Sequence, residues 1–191
     1  MSERLDREYF EELYTTSPDP WNFETSDYER AKYRRTLDVL GDRRFRRALE
    51  AGASIGVFTQ MLARLCDELL AVDVSERAVA AARERLRGLE HVRVERRTLP
   101  EEMPEGPFDL ILASEVLYYF PREEMLAMLD AFETILAPGG ALLAVHWRRE
   151  TRTYPLQGDE VHGLLVAHTT LTLTESVAEP DYRLDLFEAR A

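Results

Sequence analysis

The stretch from Phe45 to Asp73 constrains the fold more than any other part of this chain. Phe45, Ala48 and Leu49 lead into Glu50-Ala51-Gly52, the pattern of a short buried strand ending on a carboxylate and a glycine. Small residues follow, Gly52-Ala53-Ser54-Ile55-Gly56, and then Val57, Phe58, Met61, Leu62 and Leu65 recur at helical spacing. A second apolar run, Leu69 to Val72, stops at Asp73. The unit predicted is strand, glycine turn, helix, strand and acid, which is half of a nucleotide-binding α/β sheet.

The physics of that unit explains its composition. Gly52 can take a positive φ and lets a ligand approach the backbone with no Cβ in the way. The amides that open the next helix point into the same crevice. Asp73, twenty-one positions after Gly52, stands where a carboxylate can accept both hydroxyls of a ribose. Dinucleotide enzymes use Gly-x-Gly-x-x-Gly, and here Ser54 holds the place of the glycine that would approach a pyrophosphate. A nucleoside suits this turn better than a dinucleotide.

The rest of the chain alternates in the same way. Residues 3–14 predict a helix, with Leu5, Tyr9, Phe10 and Leu13 on one side, and the prolines at 18 and 20 break it. Ser26 and Glu29 form a capping box for a second helix over 27–40, closed by Gly41. With the aromatic patch Trp21-Asn22-Phe23, these residues read as a helical lid over 1–41, ahead of a core over 42–191. Ser75 caps a helix closed by Gly88, and His91–Val94 forms a third strand with Thr98-Leu99 at its carboxyl end. Phe108–Ala113 is a fourth strand, more apolar than the three before it and so expected at the centre, and a helix over 121–136 follows. Pro138-Gly139-Gly140 turns into a strand over 141–146, and Asp159 is expected to cap a helix carrying His162. Two alternating runs, Leu171–Val177 and Tyr182–Phe187, close the chain. Such alternation gives a doubly wound, largely parallel sheet, in one domain, with ligands at the carboxyl ends of its strands.

Charge narrows the partners. A net charge of −12 argues against nucleic acid, whose binding rests on cationic neutralisation of phosphates. Eight of the 24 basic residues do cluster: Arg30, Lys32, Arg34, Arg35, Arg43, Arg44, Arg46 and Arg47. They read as a solvated helix face and strand edge, or alternatively supply one clamp for a carboxylate near the site. No run approaches the length that spans a bilayer, and Met-Ser-Glu-Arg-Leu-Asp lacks the apolar core of a secretion signal, so a cytoplasmic location is expected. The single cysteine, Cys66, has no partner for a disulfide and is expected as a small core residue of the first-turn helix. No histidine–carboxylate spacing suggests a metal.

Four motifs then carry a resemblance: EAGASIG, AVDVS, FDLILASEVLYYF and LAPGGALLAVHW. In this order they resemble class I S-adenosylmethionine-dependent methyltransferases over about residues 45–147. SPDPWNFETSDYERAKYRRTL, SEVLYYF, HWR and YPLQGDEVH closely resemble the NodS-like group, a subfamily that includes the NodS proteins, which N-methylate the amino sugar at the non-reducing end of a deacetylated chitooligosaccharide. The resemblance implies a Rossmann-like sheet of seven strands, the last antiparallel. It implies S-adenosylmethionine as cofactor and S-adenosylhomocysteine as product. Glu50 and Gly52 would face the methionine portion, Asp73 the ribose and Thr98-Leu99 the adenine, with Trp21, Ser54, Gly56, Val74 and Ser114 around them. Many relatives have an acid where Thr98 stands, and Ala53 and Ser54 replace a frequent cysteine and glycine.

Methyl transfer from a sulfonium asks chiefly for alignment of donor and acceptor. An amine acceptor must first lose a proton, and Glu115, His146, Asp159 or His162 are the candidate bases. Tyr118, Tyr119 and Tyr154 are candidate acceptor contacts. The acceptor expected is the amine of an amino sugar or oligosaccharide, with O-methylation of another small molecule as the alternative. A nicotinamide-dependent oxidoreductase and a non-catalytic nucleoside-binding module are weaker readings. A monomer or homodimer is expected.

Overall fold

The computed structural model describes residues 3–191; Met1 and Ser2, which open the expected lid, lie outside the described residues. The strands are Phe45–Ala51 (β1), Cys66–Asp73 (β2), Val92–Arg96 (β3), Phe108–Ser114 (β4), Leu136–Trp147 (β5), Thr172–Ala178 (β6) and Tyr182–Glu188 (β7). The helices are Arg7–Thr16 (α1), Asp27–Leu40 (α2), Val57–Leu62 (α3), Glu76–Arg85 (α4), Arg122–Ile135 (α5) and Gly158–His168 (α6). One seven-stranded sheet runs β3-β2-β1-β4-β5-β7-β6, with β7 antiparallel to β5 and β6. This is the Rossmann-like α/β fold with an antiparallel last strand. The described chain divides into two compact units, Asp6–Thr98 and Leu99–Ala191, the latter with residues 3–5. The helices expected as a lid thus belong to the unit that holds β1 to β3.

In the first unit β1 and β2 are parallel, with Glu50 opposite Ala71 and Ala51 opposite Val72. Ala48, Leu49, Leu69 and Ala71 are buried on both faces of these strands, so the apolar runs do not alternate. The amides of Gly52 and Ala53 both donate to the Val72 carbonyl, at 2.9 and 3.0 Å, and this bends the chain sharply out of β1. Gly52 and Gly56 take φ of 78°, the left-handed region that glycine enters at no steric cost. A Cβ at Gly56 would stand 3.0 Å from that of Ala82, so α4 packs directly on the turn.

Local capping settles several helices. Ser26 accepts from the Glu29 amide at 3.2 Å at the start of α2, and the helix ends at Gly41, both as expected. Ser75 caps α4 through the Ala78 amide. Helix α1 starts later than expected, capped by Asp6, and runs to Thr16 rather than 14. The hydroxyls of Thr15 and Thr16 bond to the carbonyls of Glu11 and Glu12, which lets both threonines complete the last turn. Cys66 is buried, but it opens β2 instead of lying in the preceding helix. In the basic cluster Lys32 is an exception to solvation: it is 2% exposed and paired with Glu29 at 2.8 Å.

In the second unit β4 is the centre of the core, with Leu110, Ile111, Leu112 and Ala113 all 0% exposed. Strand β5 begins at Leu136, five residues before the expected start, because Leu136 pairs with Phe108 across a bulge. Pro138-Gly139-Gly140 therefore lies inside the strand and is not a turn ahead of it. Strand β6 is an exposed edge, and β7 beside it buries Leu184, Asp185 and Phe187. Asp159 does not cap α6. Gln157 takes the cap position, with its side-chain amide bonded to Thr151, and Asp159 sits in the first turn.

Candidate active site

At the carboxyl end of β1, Glu50 is 2% exposed and its Oε2 has no hydrogen-bond partner. Burial pushes its carboxyl up to about 8. The nearby Thr59 hydroxyl opposes the shift without closing a hydrogen bond, since its own Oγ1 is also unpartnered. A buried polar atom left unpaired is costly and uncommon, and this carboxyl keeps an oxygen able to accept a bond.

Asp73 closes β2 with both oxygens engaged. Oδ2 accepts from the Ser54 amide at 2.8 Å and Oδ1 from the Ser75 amide at 3.0 Å. These bonds hold Ser54 at its positive φ of 50° and fix the carboxylate beside the turn. Burial raises the Asp73 carboxyl, and the amides of Ser75, Ser54 and Val74 pull it back. Each carboxylate oxygen has a second lone pair, so hydroxyls can still be accepted.

The first helices attach to this same end. Tyr14 bonds to the Ser54 hydroxyl and packs edge-on against Trp21 at 5.8 Å, with Ile55 and Ala78 in the same cluster. Burial pushes the Tyr14 phenol far above its ordinary range, so it stays protonated. Trp21 stacks on Phe23 at 5.5 Å. Glu11 caps α4 from outside, accepting from the Glu76 amide at 2.6 Å and the Ser75 hydroxyl at 3.2 Å. Arg85 bonds to the Ile55 carbonyl at 2.8 Å and to Glu24. Glu11 and Tyr14 were missed from sequence. Tyr14 lies four residues after Phe10 on the buried stripe, and a tyrosine there carries a polar tip into whatever the stripe covers. Thr98 accepts from Arg96 at 2.8 Å.

In the second unit Ser114 ends β4, and Glu115 follows with a φ of 55°, unusual for a residue with a side chain. Its Oε2 accepts from the Tyr118 hydroxyl at 2.5 Å and from the Trp147 amide at 2.9 Å. Tyr118 stacks on Tyr154 at 4.9 Å and meets Tyr119 edge-on at 4.7 Å. Burial, reinforced by the Glu115 charge, pushes the Tyr118 phenol up, and burial with Tyr154 does so for Tyr119. Both phenols therefore keep their protons at neutral pH, and Glu115 accepts that of Tyr118. Leu99 is buried, and its carbonyl accepts from Arg4 at 2.6 Å.

The remaining candidates are placed differently. His146 and His162 are both 0% exposed and bond to each other at 3.2 Å. His146 Nε2 accepts from the Leu117 amide at 3.2 Å, and His162 Nδ1 meets Asp185 at 2.7 Å. Asp159 is half exposed and holds Arg148 through both oxygens, at 2.8 and 3.0 Å. Asp185 was not singled out from sequence, although a carboxylate inside an apolar strand pattern is the available signal. Among the described residues no group of three or more His, Cys, Asp or Glu is arranged to hold a metal. None of the described helices is long and apolar enough to cross a membrane.

Comparisons with known proteins place the chain among relatives. Nodulation protein S of Bradyrhizobium diazoefficiens is 35% identical over 127 residues, covering 65% of this chain and 61% of that protein. The chain spans about six tenths of the length of the curated relatives it matches. A crystal structure of the N-methyltransferase NodS from Bradyrhizobium japonicum, in complex with S-adenosylhomocysteine, superposes with a TM-score of 0.87. It is 27% identical and covers 97% of this chain and 100% of that one. A putative methyltransferase from Pseudomonas syringae is 37% identical, with a TM-score of 0.75 and coverage of 84% and 98%. The model of the family Nodulation protein S (NodS) matches residues 8–154, and the chain belongs to that family.

Proposed function

We propose that this chain is an S-adenosylmethionine-dependent methyltransferase that acts on the amine of a small polar acceptor, an amino sugar or oligosaccharide. The orphaned Oε2 of buried Glu50 carries the reading, because an incoming ammonium is the partner it lacks. The cofactor supplies a methyl group on a sulfonium, open to in-line displacement. Its amino group fits Glu50, its ribose fits Asp73, and Gly52, with no Cβ, lets it lie against the backbone. Ser54, Gly56, Val74 and Trp21 surround the same turn. The relative solved with S-adenosylhomocysteine supports this choice of cofactor.

Glu115 is the favoured acceptor-side group. It is a carboxylate aimed by two donors, whereas both histidines are engaged in the core and Asp159 is bound to Arg148. It can hold an acceptor ammonium and take its proton. Tyr118, Tyr119 and Tyr154 set the shape of that side. Glu115→Gln should lower kcat for an amine acceptor by about tenfold or more while leaving affinity for S-adenosylhomocysteine within about twofold. Steady-state kinetics beside calorimetry measures both. An unchanged kcat removes Glu115 from the acceptor side.

A further inference from the structure

We propose that Asp185, His162 and His146 form a buried positioning chain that fixes the turn carrying Glu115, with Asp185 setting the tautomer of both imidazoles. The proposal rests on the reading of Glu115 as the acceptor-side carboxylate. All three side chains are 0% exposed. The polarity of the chain is determined from both ends. A backbone amide can only donate, so His146 Nε2, facing the Leu117 amide, carries no proton. His146 therefore bears its proton on Nδ1 and donates to His162 Nε2 at 3.2 Å. His162 in turn bears its proton on Nδ1 and donates to Asp185 at 2.7 Å.

The far end demands the same direction. Burial alone would raise the Asp185 carboxyl, but bonds from His162, Ser176 and Arg183 leave it below its ordinary value, so it stays an anion and accepts. Reversing either imidazole would set two donors face to face at 3.2 Å. Two neutral rings with the proton on Nδ1 are the one arrangement that satisfies every atom.

What the chain holds is the turn after β4. Three successive residues of β5 grip it. The Val145 carbonyl accepts from the Glu115 amide at 2.8 Å, the His146 ring accepts from the Leu117 amide, and the Trp147 amide donates to Glu115 Oε2. The His146 ring also lies edge-on to Tyr118, centroids 5.2 Å apart, and Tyr118 donates to Glu115. Glu115 sits at a positive φ, which a side chain adopts only when its surroundings impose it. Neither imidazole reaches solvent, so their part is to position Glu115 and Tyr118 and not to move the substrate's proton.

The test has two readouts on the full chain. Long-range proton–nitrogen correlation spectra should show both His146 and His162 as neutral Nδ1–H tautomers at neutral pH. Either ring found as an Nε2–H tautomer or as an imidazolium overturns the proposal. Asp185→Leu should lower kcat for the amine acceptor by about tenfold or more, Asp185→Asn by less, with S-adenosylhomocysteine affinity within about twofold in both. Asp185→Asn keeps the shape and one accepting oxygen, and it decides the matter if Asp185→Leu does not fold. An unchanged kcat in Asp185→Asn with its tautomers lost overturns the positioning role. So does a fall in cofactor affinity that matches the fall in kcat. A Glu115→Gln variant with unchanged kcat would instead sink the acceptor-side reading, and the tautomer spectra would still judge the chain itself.

Discussion

At the scale of single residues, the site keeps Glu50 in an uncomfortable place. An ordinary glutamate titrates near 4.5, and burial lifts Glu50 to about 8. The folded protein then holds a proton that the unfolded chain has released. The associated stability is present below about 4.5 and is lost as pH rises through about 8. Glu50→Gln removes the titration, so its free form should lose less stability than the native sequence between about pH 5 and about pH 8. Denaturant unfolding at the two pH values measures this; equal losses would mean that Glu50 is already paired. The same substitution should weaken cofactor binding, because a neutral amide cannot match an ammonium. Asp73→Ala should cost about 1–3 kcal/mol of affinity for S-adenosylhomocysteine, the usual loss of a charged hydrogen-bond partner. Unchanged calorimetric affinity in a folded Asp73→Ala protein would remove Asp73 from the ribose site.

At the scale of elements, the N-terminal helices are tied to the glycine turn and not left loose. Tyr14 reaches Ser54, Glu11 caps α4, and Arg85 joins Glu24 to Ile55. Trp21 is half-buried over that cluster. Cofactor binding should bury it further as residues 15–40 tighten over the turn. The chain has two tryptophans, so a Trp147→Phe background isolates the Trp21 emission. A titration with S-adenosylhomocysteine should shift that emission to shorter wavelength; a flat titration would leave the segment as scaffold. Elements governed by neighbours in sequence were legible from it. Ser26 with Glu29 and Ser75 with Ala78 depend on bonds three residues long, and the turn at Gly52 on a glycine that takes a positive φ. The α6 cap was misread because Arg148, eleven residues away, holds Asp159. The start of β5 was misread because pairing with Phe108 outweighs the turn preference of Pro138-Gly139-Gly140.

For the whole molecule, the order of strands and helices was readable because each apolar run announces its burial. The placement of the proposed site was readable where it follows the chain, with Glu50, Gly52 and Asp73 at or beside strand ends. It was hidden where it depends on long-range approach: Asp185 lies 39 positions from His146, and no local pattern links them. His146 at a strand end and His162 on the following helix looked like bases for that reason, while the fold closes both into the core. The central claim concerns what the assembled chain does. Its most direct test is transfer of a labelled methyl group from S-adenosylmethionine to deacetylated glucosamine oligomers, followed with rising pH. The account predicts label on the amino nitrogen, with a rate that climbs as pH approaches the amine pKa. Label found only on hydroxyls or carboxylates would contradict the amine assignment, and no transfer to any acceptor by a protein that binds the cofactor would contradict the enzyme itself.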